Sequence, residues 1–178
     1  MSRRPDQEGE TSDTQTERTG IRDRAREYIS STKHPLLGSN CRIALVSPDD
    51  VHVVWESILP YVEGVISHSQ DEMTAKNFYE ELTNGSMQLW VSIERKEILA
   101  CMITQIAPYP NKRVLRVIAL GGVEMDKWIS FLPDIEHWAM TIGCTSLEAW
   151  GRKGWLRVLK DWKCSYHIIT KDLTSRMH

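Results

Sequence analysis

The segment Lys112 to Leu120 constrains this chain more than any other. It reads Lys-Arg-Val-Leu-Arg-Val-Ile-Ala-Leu, and its end is β-branched and almost continuously apolar. A run of that kind suits a strand covered on both faces, inside a sheet rather than at its rim. Gly121-Gly122 closes it. From about Glu124 to Ile142 the pattern changes to helical spacing, with Trp128, Phe131, Leu132, Ile135, Ala139 and Ile142 on one face. Pro133 should kink this stretch or start its second half, and Gly143 stops it. A buried strand passing through two glycines into an amphipathic helix requires an α/β fold. It also makes the turn at Gly121-Gly122 the place where small-molecule chemistry would centre.

The flanking segments fit the same class. Arg42 to Val46 is a first strand, and Ser47-Pro48-Asp49-Asp50 starts a helix with Val51, Val54, Trp55, Ile58 and Leu59 on one face. Pro60 and Gly64 should break that helix before Ile66. A second helix is expected from about Asp71 to Leu82, stopped by Asn84-Gly85. Leu89–Ile93 and Ile98–Ile106 form a hairpin, followed by a turn at 108–111 and the long strand. Leu147–Trp150 is a short strand, Trp155–Asp161 a short helix, and Tyr166–Lys171 a last strand. The expected order is β-α-α-β-β-β-α-β-α-β, in one domain over about 41–173 with a short tail at 174–178.

Residues 1–40 form a separate, polar N-terminal tail. Its first seventeen residues carry no large apolar side chain after Met1, too little apolar surface to offset the entropy of ordering. Ile21, Ala25, Tyr28 and Ile29 can form a narrow helical stripe within 18–33. That stripe reads either as a segment lying on the domain or as a docking helix for a protein partner.

A net charge of -2 exerts no general pull toward nucleic acid or anionic membranes, and no run approaches the length of a membrane span. The N-terminus lacks a secretory apolar core, so synthesis and residence in the cytoplasm are expected. Cys41, Cys101, Cys144 and Cys164 lie far apart and read as reduced, mostly packed thiols. No metal-ligand spacing, P-loop or Ser–His–Asp order occurs, and His52, His68 and His167 show no ligand spacing with one another. Arg152, Lys153, Arg157, Lys160 and Lys163 interleave with Trp155 and Trp162. They could grip a single nucleic-acid strand, but Trp155, Val158, Leu159 and Trp162 also make an inward stripe with the cations as its wet face, which is the preferred reading.

The order of elements resembles the GNAT acetyltransferase superfamily. Three segments carry the likeness: Arg42-Ile-Ala-Leu-Val-Ser-Pro-Asp-Asp50, Tyr109-Pro-Asn-Lys-Arg-Val-Leu-Arg-Val-Ile-Ala-Leu-Gly-Gly122, and Trp150-Gly-Arg-Lys-Gly-Trp-Leu-Arg-Val-Leu-Lys-Asp-Trp-Lys-Cys164. The last two are also similar to a divergent group borne by bacteriophages and prophages. The resemblance implies a mixed, twisted sheet with helices on both faces, and acetyl-CoA as cofactor. The cofactor's pyrophosphate would meet the glycine turn at a helix N-terminus. Its pantetheine arm would lie between the long strand and a splayed neighbour, Leu147–Trp150. The backbone of Ile118, Ala119, Leu120, Gly121, Gly122 and Val123 would hold it. Glu148 is then the candidate general base, accepting a proton through water from an attacking amine.

Two departures from the family stand out. Glu124 and Asp126 put carboxylates beside the glycine turn, where they repel an anionic cofactor. The family's frequent acid, a tyrosine on the last short helix, would fall near Leu159, and Tyr166 is the nearest phenol. These departures make a GNAT-like phage protein with a degraded acetyl-CoA site the leading expectation. It would act as a virion or assembly component whose tail binds other virion proteins. The alternative is an acetyl-CoA-dependent N-acetyltransferase acting on a small amine or a protein amine.

Overall fold

The computed structural model describes residues 41–69, 72–124, 128–151 and 153–165. The N-terminal tail with its 18–33 segment, the last strand expected at Tyr166–Lys171 and the 174–178 tail lie outside them.

Strand β1 (Cys41–Val46) leads through a 3-10 turn, Pro48–Asp50, into helix α1 (Val51–Ile66). Pro60 does not break α1, contrary to expectation. The carbonyl that Pro60 leaves without its helical donor is that of Glu56, and both residues are exposed, so water can satisfy it. Gly64 also stays helical. Helix α2 (Ala75–Thr83) begins four residues later than its apolar pattern suggested. Thr74 is the reason: its hydroxyl accepts from the Asn77 N–H, and the Asn77 side chain accepts from the Thr74 N–H at 3.0 Å, a reciprocal cap.

Strands β2 (Met87–Glu94) and β3 (Glu97–Tyr109) form the hairpin, turning through Arg95 and Lys96 at φ 48° and 76°. Positive φ at both positions matches the right-handed strand twist. β3 runs on through Pro108, where a turn was expected. Pro108 stands opposite Arg113, whose carbonyl accepts instead from Thr145 N–H at 2.9 Å, so the ladder asks no N–H of the proline. β4 (Lys112–Gly122) follows, then residues 128–129 in a helical turn, helix α3 (Leu132–Thr141) and β5 (Ser146–Ala149). Pro133 sits in the first turn of α3, so it starts the second half of that stretch. The segment expected as a last helix is a 3-10 helix, Lys153–Arg157, followed by turns.

The sheet order is β1-β2-β3-β4-β5, antiparallel except for the parallel pair β4–β5. Each face of the sheet carries its own core. On one, Val51, Ile58 and Val62 of α1 and Phe78 and Leu82 of α2 cover Leu89, Val91 and Ile103. On the other, Ile135, Trp138 and Ala139 of α3, with Phe131, cover Trp90, Met102 and Leu115. Trp90 and Trp138 meet edge to face at 4.8 Å.

Within this apolar interior Thr104 is fully buried. Its hydroxyl accepts from the Trp90 indole N–H at 3.0 Å and donates to Gln88 Oε1 at 3.2 Å. Thr104→Val keeps the shape and strands the indole donor, so it should lower the unfolding free energy by about 1–3 kcal/mol. Urea denaturation measures this, and an unchanged midpoint would refute it.

Candidate functional site

The parallel ladder between β4 and β5 pairs Val114 with Ser146, Leu115 with Leu147, Arg116 with Glu148 and Val117 with Ala149, and there it stops. At the same level β4 bulges: Thr104 of β3 faces Val117 and Ile103 faces Ala119, leaving Ile118 without an opposite residue. Beyond that point β4 continues for five residues to Gly122, and among the described residues no strand pairs with its β5-side edge. A groove of about 800 Å³ opens there. Val117–Gly122 form its floor, Trp150 and Gly151 one wall, and Tyr61 and Val65 of α1 another.

Both glycines are accounted for by the fold itself. A Cβ on Gly121 would lie 2.7 Å from the Tyr61 carbonyl oxygen of α1. One on Gly122 would lie 2.6 Å from the Leu99 carbonyl oxygen of β3, and its φ of +156° disfavours side chains. Val123 N–H donates to Leu99 O at 2.8 Å, turning that amide toward β3 and away from the groove. Strand alternation then turns the peptide groups of Leu120 and Gly122 to the open edge. Glu124 is not helical, as expected from the pattern, but left-handed at φ 55°. Asp126 lies outside the described residues. Among the described residues, Val123 and Glu124 are not helical, 128–129 lie in a helical turn, and α3 starts at Leu132.

Glu148 sits at the mouth of the opening in a four-residue cluster. Arg116 Nε donates to its Oε1 at 2.9 Å, Trp150 Nε1 donates to the same oxygen at 2.8 Å, and Tyr109 Oη donates to Oε2 at 3.2 Å. Arg116 Nη2 donates to Tyr109 Oη at 2.8 Å, and the guanidinium stacks over the Trp150 ring at 4.4 Å. Burial raises the proton affinity of Glu148, but the Arg116 hydrogen bond, the Trp150 N–H, the Arg116 charge and the Tyr109 hydroxyl together outweigh it. The carboxyl is therefore held below its usual range. A carboxylate so stabilised is a weak proton acceptor and a strong anchor. It fixes Trp150, otherwise 64% exposed, as a wall of the groove.

Neither Tyr109 nor Arg116 was singled out from sequence. The available signal was a cation in an apolar strand, five residues before the first glycine. The other named residues disperse. Arg157, Lys160 and Lys163 are exposed while Trp155, Leu159 and Trp162 turn inward, as a wet face requires, but Val158 is 36% exposed because the segment is 3-10 and turn rather than α-helix. Cys101 and Cys144 are buried, Cys41 half-buried and Cys164 exposed, and none of the four is in a disulfide. Burial, opposed by a hydrogen bond from the Gly121 backbone, pushes the Cys101 thiol up to about 12. No group of three or more metal-ligating side chains occurs among the described residues, nor a helix long and apolar enough to cross a membrane.

Solved structures similar to this chain include acetyltransferases. A predicted acetyltransferase with acetyl-CoA from Clostridium acetobutylicum matches 78% of this chain and 99% of its own, with a TM-score of 0.58 at 11% identity. A GNAT family acetyltransferase from Staphylococcus aureus matches 75% and 99%, with a TM-score of 0.56 at 10% identity. The chain has the GNAT fold. A ribosomal-protein-alanine N-acetyltransferase from Brucella melitensis biovar Abortus shares it too, at 14% identity with a TM-score of 0.52 over 74% of this chain and 99% of its own. No family model and no curated protein sequence matches the chain. The chain thus shares this fold with neighbours to which it is at most 14% identical in sequence.

The Glu148 cluster carries a pH signature. Because its folded proton affinity is lowered, its stabilisation is present above the unfolded carboxylate range and lost as pH falls through the folded value. Glu148→Gln should lower unfolding free energy by about 1 kcal/mol near neutrality. The gap from wild type should close on acidification well below the ordinary Glu value of about 4.3. Parallel denaturant curves across pH measure it, and a gap that widens in acid would contradict it.

Proposed function

We propose that the chain is an acetyl-CoA-dependent N-acetyltransferase whose donor lies along the open edge of β4. The observation that carries this reading is the end of the β4–β5 ladder at Val117–Ala149, beside the bulge at Ile118. A pantetheine arm is a chain of amides, and a strand edge without a neighbour supplies the N–H and C=O groups that amides pair with. Ile118, Leu120 and Gly122 would hold the arm, with Trp150 and Gly151 as the facing wall. The described residues fit this part of the donor. For the pyrophosphate they offer less, since the Val123 amide is already bound by Leu99 and both glycines are filled by the protein's own atoms. When bound, the thioester supplies an activated acyl carbon.

The chain's own groups orient and enclose. The floor and walls are largely apolar, which excludes water from a hydrolysable thioester. Glu148, held ionised and fully engaged, acts in this reading as the anchor of the Trp150 wall rather than as the base. The acceptor would be an amine entering beside the α1 end of the groove. No feature of the fold or of its structural neighbours supports a virion or assembly role, and the acetyltransferases among those neighbours favour the enzyme.

Calorimetric titration of the full chain with acetyl-CoA should give saturable heat. Trp150→Ala, which removes the wall, should weaken binding by about tenfold, the range of one moderate apolar contact. No heat at millimolar acetyl-CoA would remove the proposal.

A further inference from the structure

We infer that His68 is the general base that takes the proton from the acceptor amine. The inference rests on the N-acetyltransferase reading above and assigns the proton transfer that it requires. An alkylamine is an ammonium ion near neutrality and cannot attack a carbonyl until it loses a proton. The described groove-lining residues with titratable side chains are Tyr61, His68, Glu72 and Arg116. Arg116 stays charged and is paired with Glu148. Tyr61 is engaged, its hydroxyl donating to Ile98 O at 3.0 Å. Glu72 takes part in interactions of its own. Glu148 does not line the groove, and its oxygens already accept three hydrogen bonds.

His68 differs in one respect that matters chemically. Its Nδ1 lies 2.8 Å from the Gly64 carbonyl oxygen at the end of α1. A carbonyl only accepts, so Nδ1 must carry the hydrogen. Ser67 supports this assignment: its hydroxyl donates to the same carbonyl at 2.8 Å, leaving its oxygen to accept from Nδ1 at 3.1 Å. The neutral ring is therefore held as the Nδ1–H tautomer. Nε2 keeps its lone pair and has no hydrogen-bond partner among the described residues. A carbonyl fixing one ring nitrogen so that the other can accept a proton is the arrangement a histidine base needs. The ring stands exposed at the groove's rim, just past the C-terminus of α1, where an acceptor from solvent would first meet it.

The step balances as follows. Nε2 takes one proton from the ammonium, and the freed amine forms an N–C bond to the acyl carbon. The C–S bond breaks, and the departing thiolate takes the second proton that the nitrogen sheds. Amide, thiol and imidazolium result, and the imidazolium returns its proton to water. Glu72 and Arg116 are the charged groups that share the groove with the ring.

The test has a spectroscopic arm and a kinetic one. Nitrogen-15 NMR of the His68 ring in the full chain, under conditions where it is neutral, should show Nδ1 protonated and Nε2 bare. An Nε2–H tautomer would overturn the assignment. The variant His68→Asn, whose Nδ2 takes the place of the ring Nδ1, retains an N–H donor for the Gly64 carbonyl but has no basic nitrogen, and its thermal midpoint should match wild type. It should bind acetyl-CoA as wild type does. With acetyl-CoA as donor and a mixture of polyamines and lysine peptides as acceptor probe, its kcat/KM should fall about 100-fold. The acid limb of the wild-type pH profile should vanish, and added imidazole should restore part of the rate. Activity within threefold of wild type and an unchanged acid limb would overturn the proposal. A wild type that binds acetyl-CoA yet acylates none of these probes would also count against His68 while leaving the donor site standing. Absence of acetyl-CoA binding would remove both.

Discussion

The structure turns on where β4 and β5 stop being hydrogen-bonded. Four residue pairs hold the two strands together, from Val114–Ser146 to Val117–Ala149, and the bulge at Ile118 shifts the register of β4 at that point. Unmade backbone hydrogen bonds are costly when buried, so a strand edge left open inside an α/β domain needs water or a ligand to satisfy it. The surrounding elements are arranged to keep the edge accessible. α1 packs against Gly121 so closely that only glycine fits, and α3 covers the opposite face from Leu132 onward. The Tyr109–Arg116–Glu148–Trp150 cluster closes the mouth by fixing the first residue after β5 as a wall.

This changes the meaning of the two glycines. As a pair before a helix they suggest a phosphate cradle. In place, one makes room for the backbone of Tyr61 and the other for Ala100 and Leu99. Their smallness serves the close approach of α1 and β3 to β4, and through that approach it shapes the floor of the groove. The carboxylate of Glu124, which reads as repulsion at a helix N-terminus, lies instead in a left-handed loop residue ahead of the helical region.

Much of the fold was legible because the signals were local. The long apolar strand, the hairpin, the faces of α1 and α3, and the role of Pro133 all follow from periodicity and punctuation within a few residues. What escaped was set by partners distant in sequence or by single side-chain hydrogen bonds. Pro60 is tolerated because the orphaned carbonyl faces water, which depends on how α1 rolls onto the sheet. The late start of α2 belongs to the Thr74–Asn77 cap. The site was less legible for the same reason. The register that sets Arg116 beside Glu148 spans 32 residues, and only that register converts a candidate base into an ion-paired anchor. His68 carried no motif at all, since its tautomer depends on a carbonyl one helical turn behind it.

The central claim is that the open edge of β4 receives the amide chain of an acyl donor. Amide hydrogen exchange measures it directly. In the free protein the amides of Leu120 and Gly122, turned to the open edge, should exchange faster than those of Ile103 and Thr104 within the sheet. Saturating acetyl-CoA should slow exchange at Leu120 and Gly122 and leave the β2–β3 hairpin unchanged. Exchange at these two amides that is already slow in the free protein, or that acetyl-CoA does not alter, would contradict the account.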